Sequence, residues 1–171
     1  NTNTDYNITV NATAISGSLS DVSTLYGNKA DDSNANTDGF TGLGAEAITL
    51  TDTGSIAAST LLTVAQANSS GTVDASNAGT ITGTAEQIID AYDDSTITEA
   101  SDVALTVNTA NSGTATLTQA RSLDGLTTGV VTATIADTAL SDLLDDSTPL
   151  LDANGNNAVS YTHLTLPTRY R

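Results

Sequence analysis

The chain of 171 residues contains no cysteine, methionine or tryptophan, one phenylalanine and one histidine. The lack of cysteine excludes disulfides, thiolate metal sites and cysteine nucleophiles. No apolar run approaches the ~18 residues of a membrane-spanning helix, so the sequence predicts no membrane insertion. Four Lys and Arg stand against 20 Asp and Glu, for a formal net charge of −16. Such a surface repels nucleic acid, which proteins bind through Lys and Arg, so we expect no nucleic-acid partner.

The last eleven residues, YTHLTLPTRYR (161–171), differ in composition from everything before them. They contain the only histidine, two of the four basic residues and no acidic residue. The string resembles the translation of sequencing-adapter read-through, a contaminant of metagenomic assemblies, and an ordinary basic tail is the alternative. We therefore set residues 159–171 aside as a non-native tail. The chain also begins in the middle of a sequence pattern, so we expect it to be an excerpt of a longer protein.

With His163 set aside, the residue types that most catalytic sites need are missing. No imidazole remains to act as the base of a Ser–His–Asp site or to bind zinc. Paired carboxylates would suit a glycosidase, but each pair here is adjacent in sequence and lies in a predicted loop. The stretch GFTGLG (39–44) lacks G-x-G-x-x-G spacing, and we interpret it as a turn. The sequence predicts no enzyme, no catalytic residue and no bound organic cofactor.

An internal repeat is the strongest pattern in the chain. NATAISGSLSDVSTLY (11–26) aligns without a gap to NAGTITGTAEQIIDAY (77–92), so that Ile15 corresponds to Ile81. Shorter segments repeat at a somewhat smaller offset: AITL (47–50) as ALTV (104–107), and SSGTVDAS (69–76) as TTGVVTAT (127–134). The alignments divide the chain into a partial unit with an acidic loop insertion, a full unit, a further unit and the tail: 1–43, 44–100, 101–158 and 159–171.

Each unit has the same predicted inner order of strand, helix, strand and helix. Alternating apolar residues mark the first strand, at Ile48 and Leu50, and residues 58–65 have helical spacing. Extended stretches and a short second helix follow. One unit cannot close a core alone, whereas stacked units cover each other. We therefore predict an α/β repeat solenoid of stacked strand–helix–strand–helix units with parallel strands. A parallel β-helix and a single α/β domain are the alternatives.

Two segments carry the signature of a helix N-terminus. Thr84 precedes Gln87 by three residues, and Ser18 precedes Asp21 by three, the spacing of a capping box. Acidic residues in the first turn suit the positive end of the helix dipole. Helices are therefore predicted to begin directly after Ser18 and Thr84.

Two acidic features suggest a cation site. The triplet DDS follows the second helix of each unit, at 31–33, 93–95 and 145–147. A solvated turn is the plain interpretation, and an acidic ladder would form if the units superpose. Oxygen-bearing side chains also alternate in the inserted loop ADDSNANTDG (30–39), and a Gly follows them, as in loops that wrap Ca²⁺. The sequence predicts a possible calcium site there, with a polar loop as the alternative; its ligands would be Asp32, Asn34, Asn36 and Asp38.

The patterns TLTDTGSIAASTLL (49–62), SSGTVDAS (69–76) and TITGTAEQIIDAY (80–92) resemble the Ala/Thr/Asp-rich repeat arrays of very long surface or secreted proteins of marine bacteria, including cyanobacteria. This resemblance of repeat style covers about residues 7–158. It implies a structural or adhesive role, outside the cell or at its surface, and carries over no catalytic residue. The GGxGxD calcium motif that often accompanies such arrays is missing.

These observations predict a structural spacer segment of a large extracellular or cell-surface protein, whose partners are the neighbouring repeats of the same chain. One alternative is a calcium-dependent adhesin that binds a surface glycan or protein. Another is a phage or secreted fibre segment of the same architecture.

Overall fold

The structure is a computed structural model, and it describes residues 7–29, 39–108 and 113–135. Four helices lie within these residues: α1 Leu19–Gly27, α2 Ala58–Ala67, α3 Ala85–Asp93 and α4 Leu117–Leu126. Twelve strands accompany them: β1 Asn7–Thr9, β2 Ala14–Gly17, β3 Gly39–Thr41, β4 Ala47–Leu50, β5 Ser55–Ala57, β6 Thr72–Asp74, β7 Thr80–Gly83, β8 Ile97–Thr98, β9 Ala104–Val107, β10 Thr114–Ala115, β11 Val131–Thr132 and β12 Thr134–Ile135.

The paired strands of the described residues all run parallel. The first sheet has the order β2-β4-β6-β8, and the second has the order β5-β7-β9-β11. Two short ladders, β1-β3 and β10-β12, flank them. The predicted α/β class with parallel strands is therefore confirmed.

The register of the two sheets repeats at short and nearly equal intervals along the chain. In the first sheet, Ile48, Val73 and Ile97 are successive partners. The second sheet has a matching row with almost the same spacing, formed by Ile56, Ile81, Leu105 and Val131. From β4 onward the chain thus crosses the first sheet, then the second sheet, then forms a helix, before it returns to the first sheet.

This order explains what the predicted unit 44–100 contains. It holds two passes of strand, strand and helix: β4-β5-α2 and β6-β7-α3. The sequence pattern predicted the strands at β4, β6 and β7 and both helices, but not β5, which is three residues long and runs directly into α2. The boundaries of the units remain a prediction.

The helices pack in chain order, α1 on α2, α2 on α3 and α3 on α4. Their buried side chains meet the apolar rows of the two sheets, and Leu61, Ile88 and Leu123 are completely buried. Leu, Ile, Val and Ala make up nearly all of this core, as the composition requires. None of the helices in the described residues is long and apolar enough to cross a membrane.

The helix N-termini are capped by side chains close in sequence, which fixes where each helix begins. Thr84 and Gln87 form the predicted capping box at α3. At α1 the Ser18 hydroxyl accepts the Asp21 N–H at 3.1 Å, and a carboxylate from the next pass, Asp52, accepts the Leu19 N–H at 2.7 Å. The first turn of α1 is therefore held by local and long-range bonds together.

A second capping box lies at α4, where Thr116 and Gln119 exchange hydrogen bonds between side chains and backbone. The sequence analysis did not identify it, although the spacing T-x-x-Q is the same as at Thr84. Both boxes satisfy two backbone N–H groups that a helix start would otherwise leave without a partner.

Candidate functional site

The most deeply buried polar side chains of the described residues meet in one place, which we call the buried polar cluster: Tyr26, Glu46 and Asn68. Their exposed fractions are 6%, 1% and 0%. Tyr26 comes from the last turn of α1, Glu46 immediately precedes β4, and Asn68 is the C-cap of α2. The cluster thus joins two neighbouring helices to the strand that lies between them in sequence.

Three donors converge on one oxygen of the Glu46 carboxylate. The Tyr26 hydroxyl donates to Oε2 at 2.6 Å, and the N–H groups of Gly44 and Ala45 donate at 2.8 and 3.0 Å. Burial alone would raise the pKa of Glu46, but these donors outweigh it and hold the pKa below its ordinary value. The carboxylate is therefore kept ionised inside the protein by hydrogen bonds, as expected for a satisfied buried anion.

The Asn68 side chain pairs with the backbone of Glu46 much as a strand would. Its Oδ1 accepts the Glu46 N–H at 3.1 Å, and its Nδ2 donates to the Glu46 carbonyl at 2.8 Å. The Tyr26 hydroxyl also lies 2.9 Å from Asn68 Oδ1. Burial and the neighbouring Glu46 carboxylate raise the pKa of Tyr26, so the phenol keeps its proton.

The glycine-rich stretch 39–44 explains how the backbone approaches the carboxylate. Residues 39–41 form β3, and Gly42 and Gly44 then take positive φ values of 80° and 133°. Such angles are open to glycine but costly for other residues. The turn aims successive N–H groups at Glu46, so the interpretation of this stretch as a turn agrees with its local structure.

The chemistry of the buried polar cluster is that of an internal clamp. Its donors and acceptors bond to one another, and the Glu46 side chain has almost no contact with solvent. Sequence reasoning missed this cluster, because 20 and 22 residues separate Glu46 from Tyr26 and from Asn68 and no local pattern links them.

The counterpart of the buried polar cluster in the next unit lacks the acidic and amide groups. By the offsets of the internal repeat, Tyr92 corresponds to Tyr26, Val103 to Glu46 and Leu126 to Asn68. The Tyr92 hydroxyl oxygen is accordingly buried without a hydrogen-bond partner. Thr127 takes over part of the role of Asn68, because its hydroxyl donates to the Val103 carbonyl at 2.7 Å.

Glu99 lies near Tyr92, and its Oε1 atom is also buried without a hydrogen-bond partner. Burial, with a further contribution from the Asp94 charge, raises the pKa of Glu99 to about 7. The Glu99 charge in turn adds to the burial that raises the pKa of Tyr92. Two equivalent regions of the repeat therefore treat a carboxyl group in opposite ways.

This difference predicts a pH dependence of stability that Glu99 controls. A carboxyl group with a raised pKa in the folded state loses stabilisation as the pH rises from its unfolded value, 4.5, to about 7. Because the folded state holds the extra proton in this window, we expect the free energy of unfolding to fall by about 1–2 kcal/mol, after allowance for partial solvent exposure.

Urea melts at a series of pH values measure this change. The Glu99→Gln variant should lose the slope between pH 4.5 and 7, whereas the exposed control Glu86→Gln should keep it. An unchanged slope in Glu99→Gln would show that other groups titrate in this window.

The predicted calcium ligands Asp32, Asn34, Asn36 and Asp38 lie outside the described residues. So do two of the three DDS triplets, 31–33 and 145–147, and the acidic ladder therefore stays a prediction. Among the residues that the structure describes, no group of three or more His, Cys, Asp or Glu side chains is placed to hold a metal ion.

The third DDS triplet, Asp93–Ser95, lies at the end of α3. Asp94 Oδ1 accepts the backbone N–H and the hydroxyl of Thr96 at 2.9 and 2.7 Å. This is the Asp-stabilised turn of the plain interpretation.

Two open grooves lie on the described surface. One, of about 420 Å³, follows a row of register partners in the second sheet, Thr82, Thr106 and Thr132. The other, of about 360 Å³, lies between the start of α1 and β5. Both are lined largely by hydroxyl-bearing and small apolar side chains, so their surface is suited to weak polar contacts.

Comparison of the chain with family models, with curated proteins and with solved structures gave no match. The buried polar cluster and the strand register are therefore the observations from which a function has to be argued.

Proposed function

We propose that this chain is a structural spacer segment of a large extracellular or cell-surface protein, built from α/β units that stack as a solenoid. The observation that carries the proposal is the regular parallel register, which advances through both sheets by nearly the same length of chain at every step. A molecule in which each pass pairs with the pass before it can be lengthened by adding passes, as in other repeat proteins.

Two further features support a structural role. The polar side chains buried most deeply bond to one another and leave no group directed at a ligand in that cluster. The formal net charge of −16 favours solubility and opposes nonspecific association between segments. Both properties suit a spacer that holds other parts of a protein apart.

Insertion of extra passes tests the stacking directly. We would insert one copy, and then three copies, of residues 47–71 after Gly71, so that each copy adds the pass β4-β5-α2. If the passes stack, each copy should lengthen the molecule by one strand spacing, about 4.8 Å, while the cross-section stays constant. Small-angle X-ray scattering measures both dimensions, and three copies should add about 14 Å.

A scrambled insert of the same composition and length serves as the control. The native copies should add helical circular dichroism signal and retain one cooperative melt, whereas the scrambled insert should do neither. Copies that leave the length unchanged, or that abolish cooperative folding, would contradict the stacked architecture.

The alternative role, a calcium-dependent adhesin, depends on residues 30–39 and has its own test. A metal that binds only the folded state raises the melting temperature. If the loop binds calcium, the melting temperature in millimolar Ca²⁺ should exceed that in EDTA, and the double variant Asp32→Asn/Asp38→Asn should abolish the difference. The control Asp93→Asn, in the DDS turn after α3, should leave it intact. Superimposed melts of the wild type would contradict the adhesin and leave the spacer role.

A further inference from the structure

The strand β2 ends the first sheet and pairs, among the described residues, only with β4. Its counterpart in the internal repeat, β7, lies between β5 and β9. The difference is visible at equivalent side chains: Ile81 is completely buried, whereas Ile15 is only partly buried. The sequence of β2 therefore suits a strand with partners on both sides, but one side is open.

The unpaired hydrogen-bonding groups of β2 can be assigned from its pairing with β4. The carbonyl oxygens of Thr13 and Gly17 accept N–H groups from β4 and the residue after it at 3.0 Å. Because successive residues of a strand direct their backbone groups to opposite edges, the N–H and C=O groups of Ala14 and Ser16 face the open side. Both side chains are exposed and small, so a second strand can approach them closely.

Apolar side chains surround this edge. Ile8 in β1 is 58% exposed, and Leu25 in α1 is only partly buried, whereas its repeat counterpart Ala91 is completely buried between its neighbours. We call this surface the end face; it consists of Ile8, Ala14, Ile15, Ser16 and Leu25.

The end face lacks the features that usually prevent strands from pairing at an edge. Native edge strands carry Lys, Pro or a bulge that blocks a second strand. The residues of β2, Ala14–Gly17, include no charge and no proline, and they pair with β4 in unbroken register. The strong negative charge of the chain lies elsewhere, so it opposes association only at long range.

We propose that the end face is a self-association surface, on which β2 of one molecule pairs antiparallel with β2 of a second copy. A two-fold axis at Ile15 places Ala14 opposite Ser16 of the other copy, and each such pair exchanges two backbone hydrogen bonds. The two Ile15 side chains then meet across the axis and extend the apolar contact. This contact continues the first sheet from one molecule into the next, and it does not depend on the proposed spacer role.

Sedimentation velocity of the full chain over a concentration series tests the proposal. We expect a monomer–dimer equilibrium that shifts toward dimer as salt is raised, because salt screens the repulsion between two chains of charge −16. Ser16→Pro removes the outward N–H without disturbing the bonds to β4, and by symmetry it deletes two interchain hydrogen bonds. It should lower the association constant by about tenfold or more, whereas Ser16→Thr should leave it nearly unchanged.

A second variant keeps the test decisive if Ser16→Pro does not fold. The chain has no cysteine, so an introduced one reports a single position. Ile15→Cys faces its own copy at the Cα separation of a disulfide and should give a covalent dimer on oxidation. Ser20→Cys, exposed on α1, should not. A monomer at every concentration, or a dimer unaffected by both Ser16→Pro and oxidation of Ile15→Cys, would overturn the proposal. A strictly monomeric chain would leave the edge to a further pass of the repeat in a longer polypeptide.

Discussion

Replacement of Glu46 by alanine is expected to lower the free energy of unfolding by about 3–5 kcal/mol, since three donors lose their acceptor at once. The Tyr26 hydroxyl and the N–H groups of Gly44 and Ala45 would be left buried and unsatisfied. Urea unfolding at pH 7, followed by circular dichroism, measures the change.

Two controls separate the clamp from a general effect of removing charge. Glu86→Ala removes an exposed carboxylate from the first turn of α3 and should cost less than about 1 kcal/mol. The pH dependence is the second control. Because the pKa of Glu46 is lowered in the folded state, its stabilisation is present above the unfolded pKa and is lost as the pH falls through the folded one. The gap between wild type and Glu46→Ala should therefore shrink in acid. Equal effects of Glu46→Ala and Glu86→Ala would contradict the clamp.

Gly71→Ala is expected to cost about 2–4 kcal/mol, although it adds a single methyl group. A Cβ atom at Gly71 would overlap the carbonyl oxygen of Glu46 and the side-chain amide of Asn68. The carbonyl oxygen belongs to the backbone at the start of β4 and cannot turn aside. Relief therefore requires a shift of a paired strand and of the buried polar cluster.

The same substitution at Gly125 is the matched control. This glycine lies within α4, and a Cβ atom there would contact nothing within 4 Å. Alanine is the better helix former, so Gly125→Ala should stabilise the protein by up to about 1 kcal/mol. Chemical denaturation compares the two variants directly. A cost at Gly71 no greater than the ordinary cost of replacing a turn glycine would show that β4 accommodates the methyl group.

Much of the fold could be predicted because the signals are local. Helical spacing over residues 58–65 predicted α2, and the pair Thr84 and Gln87 predicted the start of α3. Alternation at Ile48 and Leu50 predicted β4, where both side chains are buried as the pattern requires. The single pass of strand, strand and helix was not predicted. The sequence repeats most clearly at about twice the length of one pass, so the predicted unit contains two passes.

The buried polar cluster could not be predicted for a different reason. It forms only after two helices and a strand come together, and each of its residues alone is typical of a surface loop or a helix end. One signal was available: the repeat aligns Tyr26 with Tyr92 but Glu46 with Val103. A tyrosine that is kept while its neighbours change from polar to apolar indicates a buried ring whose hydroxyl partner differs between units.

The short distance along the chain between paired strands bears on how the protein is made. A ribosome releases residues in order, and β6 can pair with β4 as soon as the one pass between them has emerged. The later pairs, β7 with β9 and β9 with β11, close loops of nearly the same length, so each has a similar entropic cost. Folding can then keep pace with synthesis one strand pair at a time. The apolar rows are covered soon after they appear, which leaves a nascent chain little time to aggregate.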